Sequence, residues 1–355
     1  MLKGNSGIIA VLVIISVILS FASPVFLTTD NLLSVLRQVS NNMYLALGMT
    51  LVIILGGIDL SVGTCVAMCG TLTAGLMVNQ GMPMVPAIAV GLLLGTLAGF
   101  LNGLIIATFK VPAFIVTMSM MNVAKGVAYI YSGGRSIRVS NDVFTGIGTG
   151  KLFGVLPLPV VYMIVLIIIF IVVLNKTKFG TYIFAIGGNR ESARLSGVPI
   201  KKVEIAVFTI SGFLAAFAGI VLSARMYSGQ PGVGEGYELD AIAACVLGGI
   251  SMTGGVGAVS GTIFGALVIG IISNGLNLIG LSSFWQLVVK GLIIVLAVII
   301  DTQKGKDNVV CRLPRYLTNP GQRRSEWDMA GSDGISRVSA VFRGKLLLTN
   351  KMRII

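Results

Sequence analysis

The sequence of 355 residues contains no histidine, and this absence removes several classes of functional site. Imidazole is a common general base, the usual axial ligand of haem and a frequent zinc ligand. Four cysteines are present, but Cys65 and Cys69 alone make a poor metal site, and we expect them to be packing residues. The sequence therefore predicts no catalytic site, no metal site and no cofactor, and we expect that the chain is not an enzyme.

A nucleotide-binding loop is also missing from the sequence. Two segments contain a Gly-Lys pair, "GTGKLFG" at residues 148–154 and "RGKLLL" at residues 343–348. Neither segment has the earlier glycine at the spacing of a P-loop, and neither has Ser or Thr after the lysine. We therefore expect that the chain does not hydrolyse ATP by itself.

Charged residues are scarce. They make up 11% of the chain, against 55% hydrophobic residues and a mean hydropathy of +0.95, whereas a soluble domain carries about 25% charged residues. The alternating pattern of a membrane β-barrel is absent, so the sequence predicts an all-α integral membrane protein. About ten transmembrane helices are predicted, at residues 8–27, 43–58, 61–78, 86–109, 111–131, 155–174, 203–224, 239–253, 257–279 and 283–300.

Two of these predicted helices, 43–58 and 239–253, are short and are interrupted by paired glycines. Broken helices in membranes line protected cavities rather than lipid, because their freed backbone groups need partners. The residues of the predicted helix breaks are Gly56, Gly57, Asp59, Ser61, Gly248 and Gly249.

Asp59 lies in the apolar segment "LGGIDLSVG", residues 55–63, where a charge costs about 2.5–3.5 kcal/mol at the centre of a bilayer. Gly56 and Gly57 can end one helix through a left-handed residue, after which Asp59 or Ser61 can cap the next helix. We therefore predict a structural role for Asp59. The segment "LGGISMTGG", residues 247–255, repeats the opening with hydroxyl residues in place of the acid, and we expect both segments on the cytoplasmic side.

The distribution of Lys and Arg predicts the orientation in the membrane. With the N-terminus inside, eight basic residues fall in cytoplasmic loops and five fall in external ones. Residues 302–355 add eleven basic and four acidic residues, and their Pro, Gly and charge are typical of a disordered segment. We expect a basic, disordered cytoplasmic tail at 302–355 that contacts anionic lipid, and no nucleic-acid partner, because no nucleic-acid-binding motif accompanies the charge.

The longest predicted cytoplasmic loop, residues 175–205, contains the signals of a two-turn helix. Asn189 can act as its N-cap, Glu191 lies in its first turn, Gly197 can close it and Pro199 prevents its continuation. So short a helix is unstable alone and needs a partner surface. The loop itself does not distinguish a helix on the membrane surface from one that docks a soluble subunit.

Four separated blocks of sequence carry a family resemblance. They are "QVSNNMYLALGMTLVIILGGIDLSVG" (38–63), "GGNRESARLSGV" (187–198), "YELDAIAACVLGG" (237–249) and "GGVGAVSGTIFGALVIGIISNGLNLIGLSSFWQLVVKGLIIVLAVIID" (254–301). Together they resemble the ribose-type sugar permeases of bacterial ATP-binding-cassette importers, over about residues 8–303. Branched-chain amino acid permeases share the general plan and remain an alternative, as does, less favourably, an ion-coupled secondary transporter.

The resemblance implies a multi-pass permease of the bacterial inner membrane, with both termini in the cytoplasm. Residues 1–301 form the transmembrane permease domain, which pairs with a second copy or a paralogue. Cytoplasmic ATPase subunits drive it, and a periplasmic sugar-binding protein delivers the substrate. The resemblance further implies that the loop helix couples the ATPase to the membrane, through Gly188, Asn189, Glu191, Ala193, Arg194, Ser196 and Gly197.

Candidates for the substrate path are polar or aromatic residues on otherwise apolar helices. Amides can hydrogen-bond a sugar or a neighbouring helix, and aromatic rings can stack on a sugar or pack in the core. Lys290 can reach the outer interface or pair with Glu238 or Asp240. The candidates are Asn102, Phe114, Asn122, Asn274, Asn277, Trp285 and Lys290.

Overall fold

The computed structural model describes residues 6–282, 285, 286, 288–293, 295 and 299. The predicted tail at 302–355 and part of the predicted span 283–300 lie outside this set. The described part of the chain is mostly helical. Its helices are α1 (Ser6–Ala22), α2 (Thr29–Leu55), α3 (Val62–Val78), α4 (Met84–Phe109), α5 (Ala113–Ser132), α6 (Asp142–Thr149), α7 (Leu158–Lys176), α8 (Lys178–Gly188), α9 (Arg190–Leu195), α10 (Ile200–Arg225), α11 (Tyr237–Leu247) and α12 (Val259–Leu278).

The described strands are two residues each and form two small antiparallel pairs. β1 (Ile137–Arg138) pairs with β4 (Ser228–Gly229), and β2 (Lys151–Leu152) pairs with β3 (Leu156–Pro157). β1 and β4 join the loops that follow α5 and α10, so they tie together the same end of these two helices.

Six described helices are long and apolar enough to cross a membrane, namely α2, α4, α5, α7, α10 and α12. The helices α1 and α3 have only 17 residues each, and α11 has 11, which at 1.5 Å per residue extends about 16 Å. The structure therefore supports a multi-pass helical membrane protein, whereas the count of about ten spans stays a prediction.

The prediction that the second span starts at residue 43 and is short was wrong. α2 begins at Thr29, has 27 residues and is buried for most of its length. Its first half contains Asp30, Arg37, Asn41 and Asn42, so hydropathy alone placed its start too late. A helix surrounded by protein tolerates such residues because other helices, and not lipid, face them.

Helix α10 is at the centre of the bundle and packs against α2, α3 and α4. Its contact with α4 is close because three glycines of α4 at every fourth position, Gly95, Gly99 and Gly103, lie against it. A Cβ atom at Gly95 would lie 2.6 Å from the Cβ of Ala216, and one at Gly103 would lie 2.7 Å from the Cα of Ile205. Small residues at this spacing let two helix backbones approach within a membrane.

Residues 175–205 were predicted to be a loop with one two-turn helix. The segment is instead largely helical. α8 occupies Lys178–Gly188, α9 occupies Arg190–Leu195, and α10 has begun by Ile200. Thr177 starts α8, since its side chain accepts a hydrogen bond from the N–H of Gly180 at 3.2 Å. α8 was not predicted from the sequence, because the apolar residues of α8 lie next to a long span and the glycines of α8 are typical of loops.

The packing of α4 on α10 gives a first prediction. Gly99→Ala should destabilise the protein by several kcal/mol, because the new Cβ would overlap the carbonyl oxygen of Phe208 and lie 3.0 Å from the Cα of Gly212. Thermal unfolding of the detergent-solubilised protein measures the effect. Gly126→Ala is the matched control: this helical position has open space, so the same change should be neutral or stabilise by about 0.4–1 kcal/mol. Equal melting temperatures for both variants would contradict the close packing.

Candidate functional site

The short helix α9 is capped at both ends by local chemistry. The side-chain oxygen of Asn189 accepts a hydrogen bond from the N–H of Ser192 at 2.8 Å. At the other end, Gly197 has φ +79°, its N–H bonds the carbonyl of Arg194, and the N–H of Val198 bonds the carbonyl of Ala193 at 3.1 Å. These paired bonds close the helix at a left-handed glycine.

The outer face of α9 is exposed. Glu191 and Arg194 form an ion pair on it, with Nη2 2.5 Å from Oε1, and the hydrogen bond from Arg194 lowers the pKa of Glu191.

Leu195 is also exposed, and Gly188 and Gly197 have no atoms near the place of a Cβ. By contrast, Ala193 is buried. The N–H of Ser196 bonds the carbonyl of Ser192 at 3.0 Å.

A basic groove of about 840 Å³ lies beside α9. Its charged lining residues come from the end of α4, from α9 and from the start of α10. They are Lys110, Arg190, Glu191, Arg194, Lys201 and Lys202. Five cations face one carboxylate, so the groove is positively charged.

Arg190 connects α9 to α10. Its guanidinium donates to the carboxylate of Glu204 with both terminal nitrogens. Nη1 bonds Oε1, and Nη2 bonds Oε2 at 3.0 Å. Glu204 is only 3% exposed. A bidentate pair of this kind fixes the relative orientation of the two groups, and removing one partner would leave an unpaired buried charge.

Next to this ion pair, three segments of backbone meet at glycines. The N–H of Gly255 donates to the carbonyl of Ile54 at 2.8 Å, and a Cβ at Gly187 would overlap the same carbonyl. A Cβ at Gly254 would lie 3.1 Å from the Cα of Gly56. The end of α2, the end of α8 and the connection between α11 and α12 therefore lie at one end of the bundle, as the two Leu-Gly-Gly-Ile segments predicted. We call this the α9 end.

A helix ends next to a left-handed glycine in each of the two Leu-Gly-Gly-Ile segments. Gly56 has φ +94°, its N–H bonds the carbonyl of Ile53, and the N–H of Gly57 bonds Val52 at 2.9 Å. In the second segment α11 ends at Leu247, Gly248 is its C-cap residue, and the left-handed residue is Gly249, with φ +80°. The repeat is thus shifted by one residue.

Asp59 is 1% exposed and is held by hydrogen bonds rather than by a cation. Its Oδ1 accepts from the N–H and the hydroxyl of Ser61, at 3.0 and 2.6 Å, and its Oδ2 accepts from the hydroxyl of Ser211 at 2.8 Å. The side-chain amide of Asn102 donates to the Ser61 oxygen at 3.1 Å. This polar cluster, Asp59, Ser61, Asn102 and Ser211, joins the α2–α3 break to α4 and α10.

The prediction that Asp59 or Ser61 caps α3 with its side chain was wrong. Ser61 is the N-cap residue of α3, but neither side chain bonds an N–H within α3. Instead, the carboxylate of Asp59 accepts hydrogen bonds from the N–H of Ser61 itself and from the hydroxyl of Ser211 on α10. Ser251 and Thr253, which stand at the equivalent positions of the second segment, bond each other at 2.9 Å.

The seven predicted path residues do not converge on one site. Asn102 belongs to the Asp59 cluster, and Asn274 exchanges two hydrogen bonds with Asn31, at 2.9 and 3.1 Å. Phe114 and Asn122 are exposed on α5, while Trp285 is exposed and Asn277 bonds Gln286 at 2.7 Å.

Lys290 forms the ion pair that the sequence suggested as one option. Its Nζ lies 2.8 Å from Oδ2 of Asp240, and both side chains are largely buried. The alternative partner, Glu238, instead accepts from the N–H of Gly236 at 3.2 Å.

A family model described as "Branched-chain amino acid transport system / permease component" matches residues 31–298. The chain belongs to this permease family. The resemblance read from the sequence is thereby confirmed, and the match includes every residue of the two helix breaks and of α9.

Several relatives of this permease are named as permeases for the sugars ribose or arabinose. The chain is 44% identical over 298 residues to the ribose import permease protein RbsC of Haemophilus influenzae, covering 83% of this chain and 92% of the relative. It is 45% identical over 295 residues to the RbsC protein of Bacillus subtilis, covering 82% and 91%. It is 41% identical over 300 residues to the L-arabinose transport system permease protein AraH of Escherichia coli, covering 84% and 91%. No solved structure matches the chain.

Two residues that bind groups of the candidate site, Glu204 and Ser211, were not predicted from the sequence. Glu204 lies 14 residues after Arg190, and Ser211 lies 152 residues after Asp59. An acid in the first turns of a long apolar helix was a usable signal for Glu204. Ser211 gave no comparable signal, because serine is common in membrane helices.

A second prediction concerns the Asp59 cluster. Ser211→Ala should destabilise the permease by about 1–3 kcal/mol, because Oδ2 of the buried Asp59 would lose its hydrogen-bond donor. The measurement is thermal unfolding in detergent. Ser119→Ala is the control, since this exposed hydroxyl on α5 bonds only the carbonyl of Ile115 in its own helix. An unchanged melting temperature for Ser211→Ala would show that the cluster does not depend on α10.

Proposed function

We propose that this chain is the membrane-spanning permease subunit of an ATP-driven importer of monosaccharides. The observation that carries the proposal is the identity of more than 40% to ribose and arabinose permeases over more than four-fifths of the chain. The six long apolar helices are those that such a subunit needs. The sequence contains no P-loop, so the energy must come from a separate ATPase subunit.

The α9 end is the proposed docking face for that ATPase. It presents an exposed helix with fixed ends, an exposed leucine and a positively charged groove, which suit a partner surface with acidic and apolar groups. This assignment orients the α9 end towards the cytoplasm. Among the groups predicted for coupling, Gly188 is the last residue of α8, and the others belong to α9 or its caps: Asn189, Glu191, Ala193, Arg194, Ser196 and Gly197.

The proposed transmission route runs through α10. A displacement of α9 is passed to Glu204 by Arg190, because the bidentate pair resists rotation. Ser211, two helical turns further along α10, then acts on Asp59 and the start of α3. A cavity of about 300 Å³, lined by Gly56, Gly57 and the Arg190–Glu204 pair, lies between these points and gives the connection room to move.

A second permease protomer is the proposed partner of α5. This helix is mostly exposed, and Phe114 and Asn122 lie on its exposed side. Lys125 of the same helix forms an exposed ion pair of 3.3 Å with Glu235. Polar side chains at membrane depth are costly against lipid. A protein partner, with the sugar path between the two protomers, accounts for them, and a periplasmic binding protein would deliver the sugar at the end opposite α9.

Two other transport functions have less support. The family description names branched-chain amino acids, but the relatives cited above are named for sugars. An ion-coupled transporter needs titratable groups that release their partners, whereas the described buried acids Asp59, Glu204 and Asp240 all accept hydrogen bonds.

Reconstitution tests the function. The permease, with ATPase and binding-protein subunits from the same genome, should show ATP turnover that rises several-fold when the binding protein carries ribose or arabinose, because loading signals through the membrane subunit. Proteoliposomes with leucine-loaded binding protein are the control. Stimulation by leucine alone, or uphill sugar uptake by the isolated chain, would contradict the proposal.

The Arg190–Glu204 pair gives a further prediction. Arg190→Glu should abolish sugar-stimulated ATP turnover and destabilise the protein by about 3–5 kcal/mol, because two carboxylates would face each other. The exchange Arg190→Glu with Glu204→Arg should recover part of both losses, as measured in a double-mutant cycle.

Arg194→Gln is the comparison variant in the same helix. It breaks an exposed pair worth about 0.2–1 kcal/mol, so stability should hardly change while co-purification of the ATPase weakens. If the exchange variant recovers nothing, or Arg190→Glu couples normally, the route through α10 is wrong.

A further inference from the structure

A polar cavity of about 80 Å³ lies at the end of α10 opposite α9. We call it the outer chamber. Arg225, which lines it, is about 31 Å from Glu204 along α10 at 1.5 Å per residue. Its main polar lining residues come from α2, α10 and α11, with Lys290: they are Asn41, Asn42, Arg225, Tyr237, Asp240 and Lys290. One water molecule needs about 10–15 Å³ by this measure, so the chamber has room for several hydroxyl-sized groups.

Three acceptor atoms at the chamber have no hydrogen-bond partner among the described residues. They are Oδ1 of Asn41, Oδ1 of Asn42 and Oδ1 of Asp240. Asn41 and Asp240 are only 6% and 7% exposed. A buried acceptor without a partner costs about 1–3 kcal/mol, so three of them at one cavity call for a group that donates several hydrogen bonds.

Two cationic donors, Lys290 and Arg225, line the chamber, and the amides of Asn41 and Asn42 and the hydroxyl of Tyr237 can also donate. Lys290 is already paired with Oδ2 of Asp240 at 2.8 Å. The half-buried guanidinium of Arg225 forms no ion pair within the described part of the chain. Arg225 therefore has N–H donors to offer to a ligand in the chamber.

A neutral polyhydroxyl compound satisfies this combination of groups. Each hydroxyl both donates to an acceptor such as Asn41 or Asn42 and accepts from a donor such as Arg225. A carboxylate or phosphate ligand would have no protons for the three acceptors and would face the Asp240 carboxylate.

We propose that the outer chamber binds hydroxyl groups of the transported monosaccharide on the outer side of the permease, with Asn42 and Arg225 as specificity-determining contacts. This inference rests on the proposed function. It differs from the predicted path, of which Lys290 alone lies at the chamber.

The test compares import of radiolabelled ribose and arabinose, which differ in hydroxyl configuration, in the reconstituted system. Asn42→Leu keeps the side-chain size but removes the acceptor. We expect import of the preferred sugar to fall about tenfold, equivalent to about 1.4 kcal/mol, and the ratio of ribose to arabinose import to change. Stimulation of ATP turnover by the loaded binding protein should persist, since the α9 end is untouched.

Asn79→Leu is the matched control, because this exposed amide lies beyond the end of α3 and does not line the chamber. Arg225→Met should act like Asn42→Leu, and Arg225→Lys should restore part of the rate; this pair also decides the matter if Asn42→Leu does not fold. An unchanged sugar ratio, or an equal loss for both sugars with a lower melting temperature, would overturn the chamber as a sugar site. Failure of the wild-type chain to import either sugar would instead refute the proposed function.

Discussion

The close contact between α4 and α10 is the constraint on which the rest of the structure depends. In a membrane, helices gain little from burying apolar surface against each other, so their association relies on packing and polar contacts. Three glycines of α4, Gly95, Gly99 and Gly103, let the backbone of α10 approach until no side chain fits between the two helices. α10 is thereby fixed in the middle of the bundle, where it contacts α2, α3 and α4.

From this central position α10 carries one polar residue for each functional region. Glu204 meets α9, Ser211 meets the Asp59 cluster, and Arg225 lines the outer chamber. A rigid helix moves all three points together. This geometry offers a physical route by which an event at the ATPase face can reach the α2–α3 break and the outer end, without any residue of the chain taking part in chemistry.

Each of the three buried carboxylates has hydrogen-bond donors, but the kind of donor differs. Glu204 and Asp240 are paired with cations, as expected where desolvation is expensive. Asp59 has hydroxyl and backbone donors instead, and the carboxylate gains its support from three separate groups. Because Ser211 is the only donor among these that lies outside the break, it determines whether the break and α10 behave as one unit.

Composition determined the class of protein, and four separated blocks of sequence determined the family. Local chemistry determined the caps of α9 and the left-handed glycine at the end of α2, because each of these depends on residues a few positions apart. Hydropathy could not place the start of α2, since Asn41 and Asn42 are polar but face protein, and it concealed α8 beside a long span. Only the tertiary structure decided the partners of Asp59, Glu204 and Asp240 and the gathering of the chamber residues. The partners of Asp59, Glu204 and Asp240 lie up to 152 residues away along the chain, and the chamber residues are further apart still. The formation of these contacts depends on which helix backbones can approach closely rather than on any pattern along the chain.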